Sequence, residues 1–246
     1  MKIELYNDDC LNAMKNIPDK SVDLVLCDLP YGITSCKWDC CIDLEALWKE
    51  YKRIITDTGV IALFGDGCLF SASLMMSNKK WFKYNWTWCK NIKTGFLSTK
   101  YQPLRSVETI SIFYKKAGQY YPQMVGDVVH KTHHCNQESD NGEIYGSLKL
   151  TEKNEIKGYH PTNIIKDIKM SASGRLHPSQ KPVELLEYLI KTYTTEGMTV
   201  LDNCMGSGST MVACINTNRN GIGIELDNDY FNISKTRIEE AKNDLQ

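Results

Sequence analysis

The strongest constraint on the fold is a glycine-rich turn that lies between an apolar run and a helical stretch. Residues 199–201 predict a buried strand, Asp202 follows it, Gly206-Ser207-Gly208 forms the turn, and residues 211–215 have helical character. Glycines let the backbone approach a ligand closely, and the free N–H groups of a following helix face the same crevice. This unit predicts an α/β sheet that binds a ligand at the carboxyl ends of its strands.

A second predicted strand, residues 221–225, follows the turn and ends in the acid Glu225. At this place in nucleoside-binding sheets a carboxylate accepts hydrogen bonds from both ribose hydroxyls. The sequence lacks the G-x-G-x-x-G spacing of dinucleotide folds and the G-K-[ST] ending of a phosphate-binding loop. The pattern therefore favours an adenosine-containing ligand over a phosphate ligand or an ordinary strand–helix–strand turn.

The same alternation of strands and helices occurs near the N-terminus. Residues 22–27 predict a buried strand, residues 44–55 have helical spacing, and residues 60–64 predict the next strand. A chain of 246 residues that is 42% hydrophobic can bury one large core. We therefore predict a single α/β domain over residues 1–246, with helices on both faces of its sheet.

Residues 115–174 differ from this pattern. They are rich in Gly, Asn, Lys, Glu and His, and their periodicity is weak. The composition predicts an insertion of irregular and short β structure into the domain. A helix with proline in its first turn is predicted after it, at residues 182–192.

The loop Asp28-Leu29-Pro30-Tyr31 brings a carboxylate, a rigid proline and an aromatic ring together at the end of a strand. An aromatic amine is a poor nucleophile because its lone pair is delocalised into the ring. If Asp28 and a backbone carbonyl accept the two amino hydrogens, the nitrogen can pyramidalise while Tyr31 stacks on the base. A simple β turn is the alternative. The presence of the glycine turn in the same chain favours the chemical interpretation.

Positive charge is concentrated between residues 79 and 120, although the net charge of the whole chain is −1. In that stretch nine residues are basic and one, Glu108, is acidic, which gives a local charge of +8. Aromatic residues alternate with the charges, as expected where phosphates and unstacked bases are bound; they are Trp81, Trp86, Trp88, Phe96 and Tyr101. A solvated face over an aromatic core is the alternative. The predicted nucleic-acid contacts are Lys90, Lys93, Lys100 and Arg105.

The ten cysteines are scattered among apolar segments of a long chain, which predicts reduced, buried thiols. Neither Cys36, Cys40 and Cys41 nor the group His133, His134 and Cys135 has the paired spacing of structural zinc sites, so no metal is predicted. The N-terminus has charges where a signal peptide has an apolar run, and no stretch approaches the roughly 20 apolar residues that cross a bilayer. We expect a cytoplasmic protein that has no membrane partner.

Together the two motifs resemble those of the amino-methyltransferases of DNA, which act on adenine N6 or cytosine N4. The tetrapeptide of that family has the form [DNS]-P-P-[YFW], and its cofactor loop is F-x-G-x-G or a relative. In this chain the tetrapeptide precedes the glycine turn, with the insertion between them, as in the circularly permuted β group of the family. Residues 103–108 are similar to the family's P-x-R-[NS]-x-E segment near the target pocket, residues 177–182 to its H-P-T-Q-K-P element, and residues 7–10 to its G-D-C-type element.

The resemblance implies a Rossmann-like S-adenosylmethionine-dependent methyltransferase sheet, circularly permuted, with a target-recognition insertion at residues 115–174. It implies S-adenosylmethionine as the cofactor and double-stranded DNA as the partner. The implied catalytic residues are Asp28, Pro30 and Tyr31. The implied cofactor contacts include Asp28 and Pro30 and also Asp9, Cys10, His177, Ser179, Lys181, Asp202, Cys204, Gly206, Ser207, Gly208, Glu225 and Leu226.

Within that set the resemblance implies particular roles. Asp9 and Cys10 would contact the cofactor adenine and Glu225 the ribose, whereas Ser179 and Lys181 would close over the methionine carboxylate. For the histidine at the start of the H-P-S-Q-K-P element, a structural hydrogen bond is the alternative.

The chain departs from the family pattern at two places. Leu29 replaces the usual first proline, and Asn203-Cys204-Met205 replaces the aromatic residue before the glycines, which leaves open the side chain that flanks the cofactor. An aspartate at the head of the tetrapeptide favours adenine in this family, whereas a serine favours cytosine. The resemblance therefore implies transfer to adenine N6, with cytosine N4 as the alternative.

Three further alternatives follow from the motifs. A base in structured RNA or a protein glutamine is a planar amine or amide too, but the basic stretch and the insertion fit duplex DNA better. A nucleoside-binding oxidoreductase is opposed by the missing G-x-G-x-x-G, and a non-catalytic DNA-binding protein is opposed by the intact Asp28 and Tyr31. A homodimer and a companion nuclease of a restriction–modification system are both compatible with the resemblance.

Overall fold

A computed structural model describes residues 1–31, 42–131, 155–170, 176 and 180–244. The chain forms two compact units, one made of Met1–Tyr121 and Asn163–Gln246 and the other of Pro122–Thr162. The smaller unit lies within the predicted insertion, whereas residues 163–170 belong to the larger unit. The role of residues 115–174 in target recognition stays a prediction.

Ten strands occur in the described residues. They are β1 (Ile3–Asn7), β2 (Val22–Cys27), β3 (Ile55–Gly65), β4 (Phe82–Thr94), β5 (Arg105–Phe113), β6 (Val125–Lys131), β7 (Glu155–Tyr159), β8 (Ile164–Ile165), β9 (Thr199–Asp202) and β10 (Asn220–Glu225). Strands β6 and β7 pair antiparallel in the smaller unit. The others form one sheet in the order β1-β10-β9-β2-β3-β5-β4-β8.

The order of the strands in the sheet brings the two sequence motifs together. Strands β1, β10, β9, β2 and β3 are parallel, and β5 runs antiparallel between β3 and β4. Because β9 pairs with β2, the turn after β9 and the loop after β2 leave the sheet at the same edge. Ligands bind at this edge in open α/β sheets, where the strand order reverses.

Helices cover both faces of the sheet, as predicted. Their bounds are α1 (Cys10–Met14), α2 (Leu44–Ile54), α3 (Leu69–Ser77), α4 (Val183–Tyr193), α5 (Ser209–Asn216) and α6 (Asn228–Asn243). Alternate residues of β2 point to opposite faces: Leu24 and Leu26 join the core under α4, α5 and α6, whereas Val25 and Cys27 join the core under α1, α2 and α3. This double burial explains why β2 is an unbroken apolar run.

Three tryptophans that were predicted among possible base-stacking residues belong instead to the core. Trp81, Trp86 and Trp88 are buried. Trp86 Nε1 donates to Tyr193 Oη at 2.6 Å, and Trp88 Nε1 donates to the Ile168 carbonyl at 2.9 Å. For these residues the alternative of an aromatic core is correct, because a buried indole has no surface for a base.

The structure also bears on the predicted absences. No helix within the described ranges is long and apolar enough to cross a membrane. The described part of the chain has no cluster of three His, Cys, Asp or Glu side chains suited to a metal ion. The two clusters considered for zinc, at residues 36–41 and 133–135, lie outside the described residues.

Candidate active site

A cavity of about 460 Å³ opens at the carboxyl ends of β2 and β9. Most of the predicted catalytic and cofactor residues line it, namely Asp9, Cys10, Asp28, Pro30, Tyr31, Lys181, Asp202, Cys204, Gly206, Ser207, Glu225 and Leu226. Gly208 is not part of this lining, and His177 and Ser179 lie outside the described residues. The tetrapeptide and the glycine turn therefore face one cavity.

Asp28 is the first residue after β2, and both oxygens of its carboxylate accept hydrogen bonds. Tyr31 Oη donates to Oδ1 at 2.7 Å, and Lys181 Nζ donates to Oδ2 at 2.5 Å. The ring of Tyr31 packs on Phe70, with 4.5 Å between the ring centroids. The carboxylate is therefore held in one orientation at the wall of the cavity.

A chain of alternating charges continues from Asp28 into the sheet. Lys181 Nζ lies 3.4 Å from Glu108 Oε2, and Lys90 Nζ donates to Glu108 Oε1 at 2.8 Å. Lys181 Nζ also lies 5.0 Å from the centre of the Phe64 ring. Because each buried charge has a neighbour of opposite sign, the cluster avoids the large penalty of an unpaired buried ion.

This cluster bears on two predicted assignments. The Lys90 side chain is only 7% exposed and is ion-paired with Glu108, so we withdraw Lys90 from the predicted DNA contacts. The Lys181 ammonium donates to Asp28, and the contact with the methionine carboxylate that the resemblance implies for it stays a prediction. A lysine ammonium has three N–H donors, and the carboxylates of Asp28 and Glu108 both lie within 4 Å of this one.

The protonation of the cluster follows from burial and pairing. Burial raises the pKa of Asp28, although the attraction of Lys181 opposes this. Burial alone would lower the pKa of Lys181, but the Asp28 and Glu108 carboxylates outweigh it, and the pKa of Lys181 is raised. Burial raises the pKa of Tyr31 well above its usual value. The tyrosine hydroxyl and the lysine ammonium therefore remain donors to Asp28.

Asp202 organises the glycine turn after β9. Its Oδ1 accepts from the backbone N–H of Cys204 at 3.1 Å, and its Oδ2 accepts from Thr210 Oγ1 at 2.5 Å. The backbone at Gly206 and Gly208 has φ values of +51° and +78°, a region that favours glycine. Gly208 also packs tightly, because a Cβ there would lie 2.9 Å from Ser234 Cβ.

Glu225, at the end of β10, is oriented by two backbone donors. Oε2 accepts from Gly206 N at 2.8 Å, and Oε1 accepts from Asp227 N at 2.9 Å. A carboxylate has about four lone-pair positions, so each oxygen retains capacity for a ligand hydroxyl. Burial raises the pKa of Glu225, whereas the backbone donors lower it. The side chain is thus preoriented at the cavity wall.

Sequence reasoning missed three residues that hold the turn. The Arg237 guanidinium donates to the Ser207 carbonyl at 2.6 Å from helix α6. Gln180 Oε1 accepts from Ser207 Oγ at 3.3 Å, and Tyr51 Oη donates to Asn203 Oδ1 at 2.5 Å. Gln180 could have been found, since it stands in the H-P-S-Q-K-P element. No motif marks the other two, because they come from helices distant in sequence.

A parallel sheet in which the reversed strand β5 lies between β3 and β4, together with a glycine turn and an acidic tetrapeptide at one cavity, is typical of the Rossmann-like methyltransferase fold. Solved structures show this fold. The M1.HpyAVI–SAM complex matches with a TM-score of 0.63 and 23% identity over 96% of this chain and 99% of that chain. The PvuII DNA methyltransferase, which is cytosine-N4-specific, matches with a TM-score of 0.67 and 15% identity over 99% and 92%. The predicted fold class is confirmed.

The family is shown by the sequence comparison. A family model for DNA methylases of the N6/N4 type matches residues 22–236, so the chain belongs to the DNA amino-methyltransferase family, as predicted. Curated relatives include the type II methyltransferase M.HpaI of Haemophilus parainfluenzae, 25% identical over 99% of this chain and 76% of its own length. M.HinfI of Haemophilus influenzae is 27% identical over 97% and 69%.

We expect the substitution Gly208→Ala to destabilise the protein more than Gly197→Ala. Both glycines have a φ near +80°, so both alanines meet the same backbone strain. An added Cβ at Gly208 would also overlap Ser234, whereas nothing lies within 4 Å of one at Gly197. Overpacking adds about 1–3 kcal/mol to the loss at Gly208. Urea unfolding measures both losses, and equal values would contradict the packing described for the turn.

We expect the free energy of unfolding of Asp202→Asn, relative to that of the wild type, to increase as pH rises from 4 to 7. Burial raises the pKa of Asp202 from 3.8 to about 6. The folded state then holds this proton more tightly than the unfolded state, so the wild type loses about 2 kcal/mol of stability as pH rises from 4 to 7. Asparagine has no such loss. Urea unfolding of both proteins at the two pH values measures the difference.

The control for that experiment is Asp57→Asn. A hydrogen bond from Lys20 lowers the pKa of Asp57 below 3.8, so most of the stability that its carboxylate contributes is already present at pH 4. Between pH 4 and 7 the stability of the asparagine variant relative to the wild type should therefore change little, and in the opposite direction to that of Asp202→Asn. Trends of the same sign in the two variants would contradict the burial assigned to Asp202.

Proposed function

We propose that this chain transfers a methyl group from S-adenosylmethionine to the N6 amino group of adenine at specific sites in double-stranded DNA. The observation that carries the proposal is the position of Asp28, an oriented carboxylate in the cavity that the glycine turn also lines. The family acts on adenine N6 or cytosine N4, and the PvuII enzyme shows that this fold also serves cytosine. The aspartate at the head of the tetrapeptide supports adenine.

The charges of the cavity fit a cationic nucleoside cofactor. Of the residues that the structure describes, six acids and one lysine line it; the acids are Asp8, Asp9, Asp28, Asp43, Asp202 and Glu225. Such a wall repels phosphates, which disfavours a dinucleotide, and it attracts a sulfonium. Glu225 would hold the ribose, Asp9 and Cys10 would meet the adenine, and the turn at Gly206 and Ser207 would meet the methionine part. S-adenosylmethionine supplies an electrophilic methyl group when bound.

The residues around Asp28 would prepare the amine of the target base. The Asp28 carboxylate accepts one amino hydrogen and a backbone carbonyl of the tetrapeptide accepts the other, so the nitrogen lone pair is less delocalised and can attack. Tyr31, fixed by Phe70 and by its bond to Asp28, offers an aromatic face to the base. Because burial raises the pKa of Asp28, its carboxylate is also a suitable acceptor for the proton that the amine loses.

The comparisons and the structure support further parts of the proposal. The relatives are named type II methyltransferases, and we propose the same class for this chain, with a companion nuclease and a cytoplasmic location. The basic stretch retains three exposed candidates for phosphate contacts, Lys93, Lys100 and Arg105. A homodimer stays a prediction. An RNA or protein substrate is less suited to this arrangement, because the family comprises DNA methylases.

We expect Asp28→Ala to abolish methyl transfer while cofactor affinity changes by less than about threefold. The loss should reach about 100- to 1,000-fold, as for other preorganised polar groups in active sites. The measurements are tritium transfer from S-adenosylmethionine to unmethylated DNA and equilibrium dialysis of the cofactor. Asp57→Asn is a control on the surface. Full activity of Asp28→Ala would show that Asp28 is not the acceptor that prepares the target amine.

A second experiment identifies the methylated base. DNA from cells that express the wild type or the Asp28→Ala variant is sequenced by a method that detects modified bases. The expected result is N6-methyladenine at one recurring sequence, and only with the wild type. N4-methylcytosine would replace the proposed base and leave the enzyme class intact. Unmodified DNA from the wild type would contradict the proposed function.

We expect the pair Lys93→Gln and Lys100→Gln to weaken DNA binding and to reduce its salt dependence. Each phosphate contact contributes about 0.9 to the slope of log K against log salt concentration, so the slope should fall by about 1.8. Fluorescence anisotropy with a labelled duplex between low and moderate salt measures it. The control pair, Lys49→Gln and Lys191→Gln, removes the same charge from helices α2 and α4. Equal slopes of log K against log salt concentration for the two double variants would show that Lys93 and Lys100 face solvent and do not contact phosphates.

A further inference from the structure

The β4–β5 hairpin projects at the edge of the sheet where the cavity opens. Strand β4 runs in the direction of β3, because both are antiparallel to β5, so its carboxyl end lies at the same edge as Asp28. The last residue of β3, Gly65, pairs with Thr109, and β5 extends four residues beyond that pair to Arg105. At about 3.4 Å per residue this extension is roughly 14 Å long. We call residues 91–106 the arm.

The end of the arm presents apolar side chains to solvent. Leu97 is fully exposed, Tyr101 is 89% exposed, and Phe96 is 65% exposed. The loop that presents them is folded: Gly95 turns the chain with φ +93°, and the N–H groups of Ser98 and Tyr101 donate to the carbonyls three residues before them. Exposed apolar side chains grouped on one ordered loop mark a contact surface.

The charges of the arm indicate the chemistry of its partner. Lys93, Lys100 and Arg105 are exposed, and the arm has no acidic residue. In a two-fold symmetric contact between copies of this chain the same patch would meet itself, and these charges would repel each other. A polyanion with apolar surface inside it fits better. Duplex DNA has phosphates outside and a base stack within.

The strand residues that flank the arm, Lys90 before it and Glu108 after it, belong to the cluster that holds Asp28. Glu108, on β5, and Lys90, on β4, lie next to one another across the hairpin, and Glu108 contacts Lys181, which donates to Asp28. The segment that carries the apolar tip is therefore continuous with the site where the target base would be held.

We propose that the arm is a wedge, in which Phe96 and Leu97 enter the base stack beside the target and fill the space that the target base leaves when it rotates towards Asp28. The inference rests on the proposed function. Rotating a base out of a duplex costs unstacking and unpairing, and apolar side chains are known to insert between base steps. In the gap left by the target base, such side chains would restore part of the lost contact with the neighbouring bases. Lys93, Lys100 and Arg105 would hold the phosphates around the gap.

The test uses the full-length protein and a synthetic duplex with the recognition sequence found by modified-base sequencing. A second duplex has the same sequence with an abasic site opposite the target, which makes the target base easier to rotate. We expect Leu97→Ala and Phe96→Ala to reduce kcat on the intact duplex by about tenfold and to remain within about twofold of the wild type on the abasic duplex. Leu97→Met, which keeps a long apolar side chain, should retain activity on both.

Met76→Ala is the matched control, since it removes an exposed apolar side chain of helix α3 away from the arm. Wild-type rates for both tip variants on the intact duplex, or equal losses on the two duplexes, would overturn the wedge while the proposed function stands. Sedimentation of each variant detects a change in oligomeric state; a dimer lost in Leu97→Ala would assign the tip to a contact between copies instead. A wild-type chain that methylates neither duplex would overturn both proposals.

Discussion

The ion pair between Lys181 and Asp28 is the interaction on which the rest of the site depends. A carboxylate at the end of a buried strand is costly unless a cation and donors surround it. Lys181 lies just before α4, and Asp28 is the first residue after β2. Glu108 on β5 and Lys90 on β4 continue the series of ion pairs. Four segments of the chain must therefore be in place before one acceptor is correctly held.

The glycine turn has a similar dependence on distant partners. Its backbone forms hydrogen bonds with Glu225 from β10 and with Arg237 from α6. Asp202 accepts hydrogen bonds from the Cys204 N–H in the turn and from Thr210 in α5. The turn therefore has little freedom to rearrange, and a ligand would meet groups that are already oriented. Preorganisation of this kind lowers the entropic loss on binding.

Local patterns predicted the parts of the fold that local physics determines. The apolar run of β2, the glycines after β9 and the acid that ends β10 each follow from burial or backbone conformation, and all three occur where they were predicted. The tryptophans of β4 were misjudged because their burial depends on α4 and on residues near Ile168, which are far away in sequence. The burial of Lys90 was missed for the same reason, since its side chain reaches Glu108 only in the folded hairpin. Arg237 had no signal, because an arginine on a helix is ordinarily a surface residue.

The pairing of β1 with β10 has a consequence for how the protein is made. Strand β1 is synthesised long before its hydrogen-bonding partner β10, with Ile3 opposite Gly221 and Asn7 opposite Glu225. Until then the nascent chain has an open strand edge, and half of the ligand cavity has not been synthesised. A polypeptide that ends before β9 therefore has Asp28 but lacks Asp202, the glycine turn and Glu225, so its cavity has only one of its two walls.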